Sequence, residues 1–338
     1  MKTNYCKLLI IEKKKKVQQK NRFINLEWGV GNLKIAVLGA GAIGCYYGGI
    51  LAKEHTDVTF IARGRTYERL KHHELVVKSI DGDFSLPVNV IDSERLQGHA
   101  AFDYILLAIK STGIEAAIEE LKALMGDGTK IICLLNGIGN EERLAEVFGA
   151  ERVIGGSAFI SIIREAPGIV NHVGDGKLVI GEWQSRAHQD VGLIELEKRL
   201  LQAGAAACIT SDIKRIKWEK LLWNITYNPL TALTQTRVGT ALKDPDLKLL
   251  LERVSAEFLN LADKRGIIIR EDYKTGLLTP DEAIQNHKTS MLQDFENGQP
   301  MELDAILGFV IQTAKQCEVS VPTIETLYHL LCFLERSH

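Results

Sequence analysis

From Lys34 onward, short apolar runs alternate with stretches of helical period. "KIAVL" spans Lys34 to Leu38, and a glycine turn and the helix-period segment "IGCYYGGILAKE" follow it. A second run covers Asp57 to Ala62; "DYILLAIKS" and "KIICLLNG" are two more, followed by "IEAAIEELKAL" and "NEERLAEVFG". These runs do not alternate apolar with polar, which predicts strands covered on both faces. Strands separated by helices predict parallel βαβ units. Between Arg152 and Glu182 the pattern changes. "VIGGSAFI", "GIVNHV" and "KLVIGE", separated by Pro167-Gly168 and Asp175-Gly176, predict antiparallel strands joined by turns. A helix over roughly 189 to 203 and a strand from Ala206 to Thr210 close this half. After Ser211 strand signals stop, and helical period covers 213–236, 246–265, 281–295, 302–317 and 323–335. The pattern predicts an α/β domain over 33–210, followed by an all-helical domain over 211–338.

Bulk properties narrow the function. The chain has 338 residues, 46 % of them hydrophobic, enough for two cores. A formal net charge of −2 offers no excess for nucleic acid or a membrane surface. No apolar run approaches the roughly 20 residues of a membrane span. Cys6, Cys45, Cys133, Cys208, Cys317 and Cys332 stand singly, without a CxxC pair. That spacing disfavours a disulfide framework or a metal site and fits reduced, mostly buried thiols in a cytoplasmic protein. Residues 1–32, with "EKKKKVQQKNR", read as a disordered or wrongly started extension outside the fold.

Gly39-Ala40-Gly41-Ala42-Ile43-Gly44 matches GxGxxG between a predicted strand and a helix. In that context the first glycine permits a tight turn, the second lets backbone N–H groups approach a pyrophosphate, and the third lets the helix pack close to the sheet. The helix N-terminus adds positive potential for the phosphates. The second strand ends in "FIARGR". Dinucleotide sites selective for NAD usually place a carboxylate there. Here Arg63 and Arg65 stand in its place and favour NADP, since a guanidinium pairs with a 2′-phosphate. The bland reading is two solvated arginines. Lys110 and Asn136 fall at the carboxyl ends of predicted strands, where open α/β sheets bind ligands; a loop lysine and a turn former are the alternatives.

In "WEKLLWNITYNPLTA" Lys220, Asn224 and Asn228 recur every fourth residue, so they share one helical face. Leu221, Leu222, Trp223, Ile225 and Tyr227 surround that stripe with apolar bulk, and Pro229 disturbs the helix where it ends. Spacing alone leaves an enclosed functional stripe and an outward polar face equally open.

The blocks "GAGAIG", "IKS", "LLNGIGNEE", "PGIVNHVGDG", "KWEKLLWNITYNPLTAL" and "TSMLQDFENGQPMELDAILG" together resemble the ketopantoate reductase (2-dehydropantoate 2-reductase) family, from about Lys34 to near Leu334. The resemblance implies a Rossmann-like dinucleotide-binding domain followed by a helical one. It implies NADPH-dependent reduction of 2-dehydropantoate to (R)-pantoate, a step toward pantothenate and coenzyme A. It also implies roles: Lys220 as proton donor, Glu302 as active-site carboxylate, Asn224, Asn228 and Ser290 as substrate contacts. Asn136 would touch both cofactor and substrate, and Lys110, Arg63 and the glycine loop the cofactor. Alone, Ser290 and Glu302 read equally well as helix-cap or first-turn residues. An unperturbed lysine, with a pKa of about 10.4, would serve as the donor, and Glu302 would hold it or bridge substrate hydroxyl and nicotinamide ribose. In some members a further asparagine lies ten residues beyond the "NP" asparagine; here it is Val238. That departure leaves another small 2-keto acid as an alternative substrate, and a non-catalytic NADP-binding sensor is the rival from another class. Helical second domains of this superfamily often mediate pairing, so a homodimer is compatible with the sequence, although no interface can be read from it.

Overall fold

The computed structural model describes residues 33–98, 101–184, 190–279 and 282–337. The charged extension 1–32 lies outside them. Up to Ile209 the elements are β1 (Lys34–Leu38), α1 (Ala42–Lys53), β2 (Asp57–Ala62), α2 (Gly64–His72), β3 (Leu75–Ser79), β4 (Phe84–Leu86), β5 (Asn89–Asp92), β6 (Tyr104–Leu107), α3 (Ile114–Leu124), β7 (Lys130–Cys133), α4 (Asn140–Phe148), β8 (Val153–Ala166), β9 (Ile169–Glu182), α5 (Val191–Gln202) and β10 (Ala206–Ile209). They form one mixed sheet in the order β4-β3-β9-β8-β7-β6-β1-β2-β5, with β10 also paired to β9.

The run from β5 through β2, β1, β6 and β7 to β8 is parallel throughout. Along β1, Ile35 and Val37 enter one apolar cluster, and Ala36 and Leu38 the other. Both faces of the sheet are therefore covered, which explains the unbroken apolar runs. The chain leaves β1 for β2 on one side and later returns to β6 on the other. This strand-order reversal opens a crevice at the carboxyl ends of β1 and β6.

Two sequence expectations are corrected in the sheet. Asp175-Gly176 is not a turn: β9 continues through it, and Pro167-Gly168 makes the hairpin with β8. Phe159 pairs with Lys177 and Ile160 with Asp175, so Gly176 is the extra residue of a bulge. The short strands β3, β4 and β5 lie in a stretch to which the pattern assigns nothing. They are small, and their residues are mostly half-exposed.

From Ile213 onward the described residues hold helices only. These are α6 (Ile213–Thr234), α7 (Val238–Lys243), α8 (Pro245–Lys264), α9 (Glu271–Leu277), α10 (Glu282–Gln285), α11 (Ser290–Glu296), a π turn (Asp304–Gly308), α12 (Phe309–Gln316) and α13 (Pro322–Ser337). The expected helix 281–295 is two, because Thr289 starts a new one: its side chain accepts from Leu292 N. The expected disturbance at Pro229 does not occur, since α6 runs on to Thr234. Proline removes one backbone donor there. Burial of Ile225, Tyr227, Leu230 and Ala232 in the helical core holds the helix together across the gap. α6 packs against α8, α11 and α13 on one side and against β8 on the other. It is thus the helix that joins the two lobes.

Candidate active site

The glycine loop makes a tight turn between β1 and α1. Gly39 turns the chain with φ +105°. Gly44 lies so close to the loop that a Cβ would sit 2.1 Å from Gly39 O. At Gly41 a Cβ would meet nothing nearer than Ala108 O at 3.9 Å, so the loop backbone faces open space. No side chain caps α1 and no acid occupies its first turn. The N–H groups of that turn therefore remain available to an anion. Arg63, exposed, holds the N-cap position of α2 directly after β2 without a side-chain capping bond, and Arg65 follows two residues on.

Lys110 and Asn136 follow β6 and β7 on the same sheet edge, and each meets the helical lobe. Lys110 Nζ donates to Pro300 O at 2.7 Å and pairs with Asp294 Oδ1 at 2.7 Å. Glu302 reaches the other way. Its Oε1 accepts from Ser111 N and Ser111 Oγ, both at 2.8 Å, and its Oε2 from Asn136 Nδ2 at 3.3 Å. Glu302 is buried and holds a left-handed backbone, φ +58°. Such a conformation in a non-glycine residue costs on the order of 1–3 kcal/mol and persists where surrounding contacts enforce it. Met301 N, donating to Glu335 Oε1 at 2.7 Å, is one of those contacts. Beside Asn136, Gly137 allows the π turn to touch the loop, since a Cβ would lie 2.1 Å from Ala305 O.

Lys220 completes the cluster from α6. Its Nζ donates to Asn136 Oδ1 at 3.0 Å and to Ala158 O of β8 at 2.8 Å. An ammonium has three N–H groups, so one remains for a ligand. The Phe159 ring lies 5.9 Å from the charge. Burial, and then the like charge of Lys217 one turn back, lower the Lys220 pKa to about 8; Glu302 and Glu141 act in the opposite direction. The expectation of an unperturbed lysine is thus corrected. Glu302 also does not hold Lys220 directly: Asn136 stands between them, bonded to both.

The polar stripe is enclosed, not solvated. Asn224 and Asn228 are both buried, and Asn228 Nδ2 has no hydrogen-bond partner. A buried donor left unpaired costs roughly 1–3 kcal/mol, so such an atom points to a missing acceptor. Ser290 is exposed at the first turn of α11, and the capping task falls to Thr289. Four residues separate Ser290 from Asp294, which puts it on the helix face that meets Lys110. Val238 is wholly buried in the helical core, so its side chain packs there and brings no amide to the cleft.

Sequence reasoning did not single out Ser111, Asp294 or the Ala158 carbonyl. Ser111 and Asp294 lie inside blocks that carried the resemblance. A backbone carbonyl leaves no trace in a sequence.

Comparison with known proteins follows the same division of the chain. The family model described as Ketopantoate reductase PanE/ApbA matches residues 35–185, and the model of its C-terminal part matches 212–335. A 2-dehydropantoate 2-reductase of Nostoc is 30 % identical over 89 % of this chain and 95 % of its own length. One from Pyrococcus horikoshii is 33 % identical over 88 % and 96 %. The crystal structure of 2-dehydropantoate 2-reductase from Geobacter metallireducens superposes with a TM-score of 0.82 at 38 % identity, covering 90 % of this chain and 100 % of that one.

Proposed function

The chain belongs to the ketopantoate reductase family, and from that premise we propose that it reduces 2-dehydropantoate to (R)-pantoate with NADPH. The observation that carries this reading is the Lys220 ammonium, which comes from the helical lobe, bonds Asn136 at the sheet's carboxyl edge and keeps one N–H unspent. The relatives of similar length named as 2-dehydropantoate 2-reductases support the choice of substrate.

The glycine loop fits a nicotinamide dinucleotide, with open backbone at Gly41 and an uncapped helix start behind it. When bound in reduced form, that cofactor supplies the hydride that the ketone carbon accepts. Arg63, at the end of β2, favours the 2′-phosphate of NADPH.

The protein's own groups do the rest. Asn224, Asn228 and Ser290 would hold and orient the keto acid, and the unpaired Asn228 Nδ2 would find its acceptor on the substrate. Lys220 Nζ–H points to the carbonyl oxygen and stabilises the charge that develops there. It then gives that oxygen its proton, and solvent reprotonates the amine. A pKa of about 8 leaves the amine charged near neutrality yet a better donor than a free lysine. Glu302 fixes Asn136 and Ser111, and with them the approach of the two lobes. As a biosynthetic reductase the enzyme would work in the cytoplasm.

The test is NADPH oxidation, followed by absorbance, against 2-dehydropantoate and a panel of small 2-keto acids. A kcat/KM for 2-dehydropantoate well above the others is expected. Preference for another acid would assign the second reading, for which Val238 is the reason. NADPH binding without turnover of any acid would leave the sensor.

A further inference from the structure

Behind Asn136 lies a charge pair that the proposed reaction does not use. Lys217 and Glu141 are both buried, and the Lys217 ammonium is hydrogen-bonded to Glu141 Oε1. The same ammonium donates to Leu135 O at 3.1 Å. Leu135 precedes Asn136, and Glu141 is the second residue of α4. One cation therefore ties together both ends of the short loop that presents Asn136. Inside the loop Asn140 Nδ2 donates to Asn136 O at 2.9 Å. Asn136 Oδ1 in turn receives Lys220.

Packing does not demand this arrangement. Replacing a buried ion pair with apolar side chains of similar volume is often neutral or stabilising. What an apolar pair would not supply is a directed bond to the Leu135 carbonyl and a fixed charge one turn from Lys220. We propose that Lys217 and Glu141 are positioning residues, which lock the Asn136 loop and through it aim the Lys220 ammonium at the substrate oxygen. This inference rests on the reading of Lys220 as the proton donor.

The electrostatics agree with the geometry. Burial works against a charged Lys217, but Glu141 and lesser neighbours outweigh it and hold the group above the usual lysine range. Lys217 therefore stays a cation through neutral pH. The charged groups acting on Lys220 are Lys217 on its own helix, Glu141 on α4 and Glu302 before the π turn; from β8 the Ala158 carbonyl and the Phe159 ring meet it. Lys217 disfavours the charged form of Lys220 more strongly than Glu141 favours it.

The experiment compares the wild-type enzyme with the double variant Lys217→Met/Glu141→Gln, which leaves no buried charge unpaired. Thermal melting and NADPH fluorescence titration establish folding and cofactor binding. Two readouts then test the pair: kcat against pH, and the pH midpoint of Lys220 acylation, read by peptide mass spectrometry. The expected result is a folded protein that binds NADPH and has kcat lowered about 10- to 100-fold. Its Lys220 midpoint should rise above about 8, because the Lys217 charge that lowers it outweighs the Glu141 charge that raises it, while burial still holds it below the free-lysine value. Unchanged kcat with an unchanged midpoint overturns the proposal. If the double variant does not fold, Glu141→Asp keeps the charge and withdraws the carboxylate; a lower kcat is expected, and wild-type kcat overturns the proposal. Acylation does not depend on turnover. A wrong substrate, or full activity in Lys220→Ala, therefore counts against the reaction and not against the pair's hold on Lys220.

Discussion

The two lobes build their shares of the cleft from different materials. The sheet lobe works with backbone: a glycine turn after β1, an uncapped helix start and the Ala158 carbonyl within β8. The helical lobe works with charge: Lys220, Glu302 and Asp294 reach from it to Asn136, Ser111 and Lys110 across the junction. Backbone geometry needs only glycine at the right spacing. A working ammonium needs its depth, its neighbours and its hydrogen-bond acceptors set together. The first kind of site recurs on many folds, and the second defines what is done with the bound nucleotide.

Breaking the charged half is expected to have the largest effect. Lys220→Ala should lower kcat by about 10²- to 10⁴-fold while NADPH still quenches protein fluorescence with near wild-type affinity; turnover close to wild type would remove the amine from the chemistry. Breaking the backbone half should do the reverse. Gly44→Ala places a Cβ against Gly39 O, so stability should drop by about 1–3 kcal/mol in denaturant melts. NADPH binding should weaken more than kcat at saturation falls. pH separates the halves without mutation. With Lys220 as the proposed donor the ammonium is the form that reduces, so saturated turnover should be flat below about 8 and fall above it, about tenfold per pH unit. Oxidation of the hydroxy acid needs the free amine and should rise through the same range. NADPH affinity should follow neither curve. A finer cut within the sheet lobe is Arg63→Ala, expected to reduce the NADPH-to-NADH ratio of kcat/KM about tenfold. A ratio that does not move would return Arg63 to the solvated surface.

The same contrast explains what was legible in the sequence. β1, α1 and the glycine loop could be read because their signals are local: an apolar run, then glycines at fixed offsets. The stripe on α6 could be seen as a stripe, but not as an enclosed one, because the partners of Lys220 come from β8 and the Asn136 loop, and other helices pack on α6 from distant parts of the chain. The lowered pKa of Lys220 escapes the sequence for a related reason. Its first cause is burial, which no local pattern shows, and its second is Lys217, three residues back, paired with Glu141, 76 residues distant. Asp175-Gly176 carried a turn signature and served a bulge instead, because a long hairpin partner was present to continue the ladder. At Pro229 core packing overrode the local rule.

Glu302 leaves one last consequence. Its left-handed backbone suits glycine. Exchanging it for glycine would relieve about 1–3 kcal/mol of strain but forfeit three hydrogen bonds to a carboxylate, each worth about 1.5–3 kcal/mol. The melting temperature of Glu302→Gly should therefore fall, and turnover with it, because the tether between Ser111 and Asn136 is gone. The strained backbone is thus kept for what the carboxylate holds, and a screen for heat resistance would find this position as readily as a screen for product.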